Sequence, residues 1–177
     1  MTNQKSLRRA WLKAARPRTL PASLSPVLLA CALAYRDGAF QWIPSLLCVG
    51  VALLAQIASN FANDYFDFKK GADGADRLGP ERAVAQGWIT PKAMLIGTFV
   101  ALGLSCLLGC FLLFYGGWWL IGVGVAIALC VLAYSAGPFP LAYNGLGDVC
   151  GVLCYGVVPV CFTYYVQSLR FSLLAFL

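Results

Sequence analysis

The sequence predicts an all-α fold, a polytopic bundle of transmembrane helices. Hydrophobic residues make up 60% of the 177 residues and charged residues only 11%, whereas soluble domains average about half apolar and a quarter charged. The apolar residues also form successive blocks, each close to the roughly 20 residues that a helix needs to cross a bilayer. Runs such as residues 46–57 do not alternate in polarity, which argues against the strands of a β-barrel.

About five complete helices and the start of a sixth are predicted from these blocks. The predicted helices span residues 20–35, 42–62, 93–114, 118–134 and 146–167, and the sixth begins at Phe171. The residues from Phe171 to the end of the chain are too few to cross a membrane. We therefore expect residues 1–177 to be the N-terminal portion of a single transmembrane domain, with a mature N-terminus.

Small residues inside the predicted helices are interpreted as packing residues. Glycines in the third and fourth helices are expected to allow close helix contacts; these are Gly103, Gly109, Gly122 and Gly124. The eight cysteines include no CxxC pair, and the sequence has no histidine. Two cysteine pairs have the spacing of one helix face: Cys106 with Cys110, and Cys150 with Cys154. We interpret all the cysteines as small apolar residues and assign them no function.

Basic residues near the helix ends indicate the orientation of the chain. Most of them fall on one side, opposite Arg36 and Arg170: Lys5, Arg8, Arg9, Lys13, Arg16, Arg18, Lys69, Lys70, Arg77, Arg82 and Lys92. Because lysine and arginine concentrate in cytoplasmic loops, we expect a multi-pass protein of the cell inner (plasma) membrane with a cytoplasmic N-terminus. The net charge of +6 then matches contact with anionic lipid and requires no nucleic acid.

A polar cluster lies where the second helix enters the long cytoplasmic loop, residues 64–92, which we interpret as the catalytic loop. If that helix continues through Asp67, at about 100° per residue, five polar side chains share an arc of about 100°: Gln56, Asn60, Asn63, Asp64 and Asp67. Carboxylates one turn apart repel each other, and at membrane depth each needs a counter-charge. A set of oxygen ligands without histidine or paired thiolates suits Mg²⁺ rather than zinc.

The loop after this cluster supplies positive charge. Its basic side chains are Lys69, Lys70, Arg77 and Arg82, and such side chains commonly donate hydrogen bonds to phosphate oxygens. Asp73 and Asp76 either hold a second Mg²⁺ ion or order the loop. The alternative is that Asp64 and Asp67 only form interfacial salt bridges with these bases. Several polar residues on one face beside several bases favour a site for a metal ion and a diphosphate.

Proline and glycine interrupt the chain between the fourth and fifth helices, on the same predicted cytoplasmic side. Asp148 begins the fifth helix, which has no other charged residue. A carboxylate within a transmembrane domain is a candidate functional residue. A helix-start carboxylate favoured by the helix dipole is an equally good explanation.

These motifs resemble the UbiA superfamily of intramembrane aromatic prenyltransferases. The segments NFANDYFDFKKGAD, DRLGPER and QGWIT, at residues 60–73, 76–82 and 86–90, are similar to the first aspartate-rich motif of the family. RPRTL at residues 16–20 is similar to the segment that leads into the first helix of the family. YSAGPFPLAYNGLGD at residues 134–148 is similar to the branch that acts on 1,4-dihydroxy-2-naphthoate in menaquinone synthesis.

The resemblance implies a Mg²⁺-dependent transfer of a polyprenyl group from polyprenyl diphosphate to an aromatic acid. In the naphthoate branch the ring carboxylate is lost, which gives demethylmenaquinone. The residues that match the metal and diphosphate positions are Asn60, Asn63, Asp64, Asp67 and Asp73. Those that would steady the leaving group are Lys69, Lys70 and Arg82, and Tyr134 would lie near the allylic carbocation.

The chain departs from the family pattern in two respects. In much of the superfamily the first motif continues to an aspartate four residues after the one that matches Asp67, but Gly71 holds that place and Asp73 follows, as in the naphthoate branch. Family members also have about nine helices and a second aspartate-rich motif after helix six. The chain is therefore expected to represent the first half to two thirds of such an enzyme and to be inactive alone.

Prenyl transfer to 1,4-dihydroxy-2-naphthoate is the leading hypothesis from the sequence. The alternatives are prenyl transfer to another acceptor such as 4-hydroxybenzoate, homogentisate or chlorophyllide, a cation or metabolite transporter, and an assembly factor whose acidic loop docks a soluble partner. Transporters place their charged residues near the bilayer midplane on broken helices. The acidic cluster is instead predicted at the cytoplasmic end of a helix.

Overall fold

A computed structural model describes residues 2–71, 81–134, 136, 141, 145 and 147–172, and the regular structure in these residues is helical. The helices are α1 (Thr2–Ala15), α2 (Leu20–Arg36), α3 (Trp42–Lys69), α4 (Pro91–Gly116), α5 (Leu120–Ala133) and α6 (Gly147–Ser168). A short 3₁₀ segment, Pro17–Thr19, joins α1 to α2. Inside α6, Leu153–Val157 form a π-helical turn.

Within the described residues, four helical segments are long and apolar enough to cross a membrane: Ser6–Arg36, Trp42–Lys69, Pro91–Gly116 and Gly147–Ser168. α5 has 14 residues and is too short to span a bilayer alone. Large apolar side chains on α4 and α5 are exposed, among them Phe99, Leu107, Val125 and Leu129, as expected of surfaces that meet lipid rather than water. The predicted polytopic helical bundle is confirmed.

The predicted helices all occur, but some of their ends differ. The second one is predicted to end at residue 62, whereas α3 continues to Lys69 because its last polar turns are packed against the rest of the protein. α5 is shorter than the predicted span 118–134, since Gly117 leaves the helical region at φ 87 and a turn follows it. Phe171 and Ser172 are not helical, and the remainder of the predicted sixth helix lies outside the described residues.

Helix α1 is absent from the sequence prediction. Its basic residues lower the mean hydropathy of the segment, so it does not form an apolar block in the sequence. The sequence indicates this helix only through apolar residues that recur with a helical period, Leu7, Ala10, Trp11 and Ala14. Ala10 and Ala14 are buried. The Trp11 ring packs edge-on against Phe61 of α3, with 5.2 Å between the ring centroids. α1 therefore covers the part of α3 that precedes the acidic residues.

Close contacts occur at glycines other than those predicted to pack. A Cβ atom on Gly97 of α4 would lie 2.8 Å from ring atoms of Trp11. By contrast, the described residues leave open space beside the glycines for which close packing was expected, Gly103, Gly109, Gly122 and Gly124. Glycine therefore allows α1 to approach α4, and the predicted packing role of the other glycines is not found in this part of the chain.

Helix α3 connects the two ends of the bundle and packs against α1, α2, α4, α5 and α6. At its first turn, the Gln167 carbonyl oxygen Oε1 accepts hydrogen bonds from Gln41 N at 3.2 Å and from Ser45 Oγ at 3.0 Å. These bonds join the end of α6 to the start of α3. The opposite end of α3 carries the acidic residues.

Candidate functional site

The last turns of α3 carry the polar cluster, and most of it is buried. Asp64 is 2% exposed and Asp67 is 7% exposed, and Asn60 is also buried. These residues lie three or four positions apart in one continuous helix, so their side chains share a face. We call Asn60, Asn63, Asp64 and Asp67 the acidic end of α3.

Asp64 binds residues 83 and 84, which lie in the second half of the long loop. Ala83 N donates a hydrogen bond to Asp64 Oδ2 at 3.0 Å, and Val84 N donates one to Oδ1 at 3.2 Å. The side chains of Ala83 and Val84 are themselves buried. Hydrogen bonds from backbone amides to a carboxylate are charge-assisted and stronger than neutral ones. Asp64 therefore fixes residues 83 and 84 against the helix.

Asp67 forms a buried ion pair with Arg82, whose Nη2 donates to Asp67 Oδ2. Arg82 is one of the loop bases predicted to lie near the acidic residues, and it is buried with its partner. The pair supplies a counter-charge next to two neighbouring carboxylates, as their mutual repulsion requires. It also brings a guanidinium group, a common phosphate ligand, to the acidic end.

Asn60 connects the acidic end to the N-terminal segment. Its Nδ2 donates hydrogen bonds to Ala15 O at 2.9 Å and to Thr19 Oγ1 at 3.0 Å. Gln56, one turn earlier, donates from Nε2 to the same hydroxyl oxygen at 3.3 Å. These contacts explain why the RPRTL segment belongs with the acidic motif, since both form one wall of the site.

The structure places the other predicted site residues at different depths. Asn63 is half-buried, whereas Lys69 and Lys70 are exposed at the end of α3. Tyr134 follows the last residue of α5 and is half-buried. Asp148 is exposed in the first turn of α6. Two further predicted residues, Asp73 and Arg77, lie outside the described residues, as does Asp76.

Contacts between α1 and the segment 81–89, in the second half of the long loop, are not predicted from the sequence. Lys13 Nζ lies 3.2 Å from Glu81 Oε2 and 4.3 Å from the centroid of the Trp88 ring. An apolar cluster joins α1, α3, α4 and this segment; its buried members are Ala10, Ala14, Phe61, Ala83, Val84, Ile89 and Met94. No local pattern pairs Lys13 with Glu81, because the two residues are 68 positions apart. α1 thus holds the segment that covers the acidic end.

A cavity of about 360 Å³ opens among α2, α3, α4, α5 and α6. Most of its lining side chains are apolar, but Gln56, Ser59 and Tyr134 add polar atoms. Tyr155 of α6 also lines it and lies beside Gln56 and Ser59. Because Gln56 is one helical turn from Asn60, the cavity reaches α3 close to the acidic end. An apolar chain and a charged group could therefore be bound side by side.

The acidic end provides oxygen ligands but not a complete metal site. Among the residues that the structure describes, no group of three or more histidine, cysteine, aspartate or glutamate residues is placed to hold a metal ion. Mg²⁺ is commonly bound through one or two carboxylates, with substrate phosphates and water completing its ligands. Asp64 and Asp67 fit that pattern, so the donor set suits Mg²⁺ together with a phosphate ligand.

Comparison with known proteins relates this arrangement to one family. Residues 23–177 match the model of the UbiA prenyltransferase family, which confirms the resemblance found in the motifs. A 1,4-dihydroxy-2-naphthoate octaprenyltransferase from Mycobacterium tuberculosis is 37% identical over 160 residues, which cover 90% of this chain and 54% of that protein. The Escherichia coli protein of the same name is 36% identical over 177 residues, with coverages of 95% and 57%.

More distant relatives carry the family name alone. UbiA prenyltransferase domain-containing protein 1 from Danio rerio is 30% identical over 161 residues, which cover 89% of this chain and 47% of that protein. The chain spans about half the length of the relatives it matches.

Proposed function

The chain belongs to the UbiA prenyltransferase family, and from this premise we propose that the whole protein transfers a polyprenyl group from polyprenyl diphosphate to 1,4-dihydroxy-2-naphthoate. The observation that carries the proposal is the pair of buried carboxylates, Asp64 and Asp67, with Arg82 beside them and an apolar cavity one helical turn away. The choice of acceptor is supported by the relatives that bear the name of a naphthoate octaprenyltransferase.

The acidic end is proposed to bind the diphosphate group together with Mg²⁺. Asn63, Asp64 and Asp67 are the ligands proposed for the metal ion, with Asn60 adjoining and Asp73 as a further candidate. Bound Mg²⁺ would neutralise charge on the diphosphate and so make it a better leaving group. Basic side chains from the loop would donate to the phosphate oxygens; these are Lys69, Lys70, Arg77 and Arg82.

Arg82 has a second role in this proposal. In the structure its guanidinium group neutralises Asp67. A diphosphate at the acidic end would compete for that group, since arginine binds phosphate oxygens through two parallel hydrogen bonds. Substrate binding would then loosen the contact between Asp67 and the loop, and Asp64 would keep residues 83 and 84 in place through its backbone hydrogen bonds.

The cavity is proposed to hold the isoprenoid chain and to keep water from the reacting carbon. An allylic cation formed when the carbon–oxygen bond breaks would be stabilised by aromatic faces in a dry site. Tyr134 and Tyr155 both line the cavity and are the residues proposed for that role. Attack by the ring forms the new carbon–carbon bond, and loss of the ring carboxylate as CO₂ gives demethylmenaquinone in its reduced form.

The protein is a multi-pass membrane protein, as its family and its four long apolar helical segments indicate. We propose that it lies in the cell inner (plasma) membrane with the N-terminus and the acidic end on the cytoplasmic side. Most of its basic residues lie near that end of the helices in the sequence, and lysine and arginine concentrate in cytoplasmic loops. A soluble aromatic acid would reach the site from the cytoplasm, and the polyprenyl chain from the lipid.

The acceptor can be tested in membranes that contain the whole protein. Polyprenyl diphosphate and Mg²⁺ are supplied with 1,4-dihydroxy-2-naphthoate or with 4-hydroxybenzoate, and prenylated products are identified by mass spectrometry. We expect a prenylated naphthoquinol without the ring carboxylate, and at least tenfold less product from 4-hydroxybenzoate. Product from 4-hydroxybenzoate alone would reassign the acceptor. Solute flux across proteoliposomes without any prenylated product would support a transporter instead.

A further inference from the structure

Three thiols meet in the wall of the cavity. Cys150 Sγ and Cys154 Sγ, on α6, lie 3.7 Å apart. Cys130, from α5, interacts with the thiol of Cys154. All three residues line the cavity, and each is half-buried. The proposed prenyl transfer uses none of these groups, and the sequence pattern alone predicts only small apolar residues here.

A disulfide bond between Cys150 and Cys154 requires a local change in the helix. Two residues four positions apart in a helix have Cα atoms about 6 Å apart, within the range of about 4.4–6.8 Å that disulfides span. Their Cβ atoms are about 5–6 Å apart, however, which is farther than the roughly 3.5–4.5 Å of a disulfide. Cys154 also lies in the π-helical turn Leu153–Val157, and such turns are local irregularities in a helix that frequently occur at functional sites. Rearrangement of this irregular turn would bring both the Cβ atoms and the sulfur atoms together.

The surroundings of the pair determine which oxidant can reach it. The cavity is lined mainly by apolar side chains, and α6 is one of the helices that can cross a membrane. A charged or strongly hydrated oxidant would have to lose its water to enter, at a cost of several kcal/mol or more. A lipid-soluble, uncharged, planar oxidant enters without that cost. Tyr134 and Tyr155 in the same wall offer faces on which an aromatic ring can pack.

We propose that Cys150 and Cys154 form a redox-active dithiol that a membrane-soluble quinone oxidises to a disulfide. Each thiol loses one proton and one electron as the sulfur–sulfur bond forms, and the quinone gains two protons and two electrons to become a quinol. Cys130 can exchange with the disulfide as a third thiol. The physiological source of the quinone rests on the proposed function, because the oxidised product of that reaction is a naphthoquinone that would share the cavity.

The disulfide would couple the cavity to the redox state of the membrane. Closing the sulfur–sulfur distance from 3.7 Å to about 2.05 Å draws the start of α6 together. Tyr155 is the next residue after Cys154 and lies beside Gln56 and Ser59, so the polar wall of the cavity moves with it. An oxidised quinone pool would then change the space open to the substrates of the site.

The test measures thiols and requires no prenyl transfer. The protein in lipid nanodiscs is treated without oxygen with 2,3-dimethyl-1,4-naphthoquinone, whose substituted ring carbons disfavour thiol addition and leave oxidation as the main reaction. After removal of the quinone the protein is denatured, labelled with N-ethylmaleimide and analysed by peptide mass spectrometry. We expect two fewer labelled thiols, a Cys150–Cys154 disulfide that dithiothreitol reverses, and about one quinol formed per protein chain.

Matched variants show whether Cys150 and Cys154 are the thiols that the quinone oxidises. Cys106→Ser with Cys110→Ser removes a pair of the same spacing on α4 and should leave the oxidation unchanged, whereas Cys150→Ser with Cys154→Ser should abolish it. Labelling of all cysteines after quinone treatment, or equal loss of label in the Cys150→Ser, Cys154→Ser variant, overturns the proposal. Because the readout is independent of turnover, thiol oxidation without prenyl transfer would refute the proposed function and leave the dithiol assignment intact.

Discussion

Each buried polar residue at the acidic end has a defined partner. Helical geometry places Asn60, Asp64 and Asp67 on one face, and the structure shows that face buried. The sequence also indicates that a base from the loop must balance the carboxylates. It does not indicate that Arg82 pairs with Asp67, or that Asp64 binds backbone amides of the loop, because these contacts depend on how the loop returns to the helix.

The buried ion pair should show strong coupling between its two residues. Asp67→Asn or Arg82→Gln alone leaves a buried charge without its partner, which costs about 3–5 kcal/mol of stability. The double variant should cost clearly less than the sum of the single variants. The stability of wild type, the two single variants and the double variant is measured by thermal unfolding in detergent micelles. Losses of stability that add up in the double variant would show that Asp67 and Arg82 do not stabilise the protein through their contact.

Asp64 should control the order of the segment that it binds. In Asp64→Asn the charge is lost and only one oxygen remains to accept hydrogen bonds from Ala83 N and Val84 N. Hydrogen exchange at those two amides should therefore accelerate at least tenfold, as local opening becomes easier. Asp37→Asn, in the connection between α2 and α3, is the control and should leave these amides protected. Unchanged exchange in Asp64→Asn would contradict the anchoring role.

Asp37 should make stability depend on acid pH. The hydrogen bond and charge of Arg36, together with the Tyr164 hydroxyl that donates to Oδ2 at 2.7 Å, hold the pKa of the Asp37 carboxyl below its usual value. Because the pKa of Asp37 is lower in the folded protein than in the unfolded chain, the ionised carboxylate stabilises the fold at pH values above the unfolded pKa of about 3.9. This stabilisation is lost as the pH falls from that value through the folded pKa. The difference in melting temperature between wild type and Asp37→Asn should shrink below about pH 4. A difference that stays constant down to pH 3 would exclude this contribution.

Among the helices, hydropathy predicts the apolar ones and fails for α1. The five predicted helices are found because their apolar blocks are long. α1 is stabilised by a narrow apolar stripe, Ala10, Trp11 and Ala14, which packs on α3 and α4. Such a stripe raises the mean hydropathy of its segment only slightly, so the sequence indicates the helix only through its helical period. Its position beside the loop segment that covers the acidic end follows from contacts between residues far apart in the chain, which no local pattern specifies.

The contact between α1 and α4 can be tested at one glycine. In Gly97→Ala the new methyl group would lie 2.8 Å from Trp11, and because an indole ring is rigid the variant should lose about 1–3 kcal/mol. Gly103→Ala on the same helix meets open space among the described residues and should gain up to about 1 kcal/mol from helix propensity. The free energies of unfolding of the two variants are measured in detergent micelles and compared with that of the wild type. Equal stability would mean that Trp11 does not pack against Gly97.

For the whole molecule, composition was enough to predict a multi-pass helical protein, and the motifs were enough to predict its family. Both predictions are confirmed. The sequence could not show the cavity, because its wall combines side chains from α2 to α6. The relation of that cavity to Asp64 and Asp67 supports a site that holds an apolar chain beside a charged group.

The proposed function depends on binding of Mg²⁺ and the diphosphate of the prenyl donor at the acidic end of α3. The most direct test is the rate of prenyl transfer to 1,4-dihydroxy-2-naphthoate by the whole protein, measured as Mg²⁺ is titrated, for wild type, Asp64→Ala, Asp67→Ala and the control Asp37→Asn. We expect no transfer without Mg²⁺, a loss of about 10²–10³-fold in each of the two alanine variants, and near wild-type rates for the control. Transfer that proceeds unchanged in Asp64→Ala and Asp67→Ala would contradict binding of the diphosphate at the acidic end.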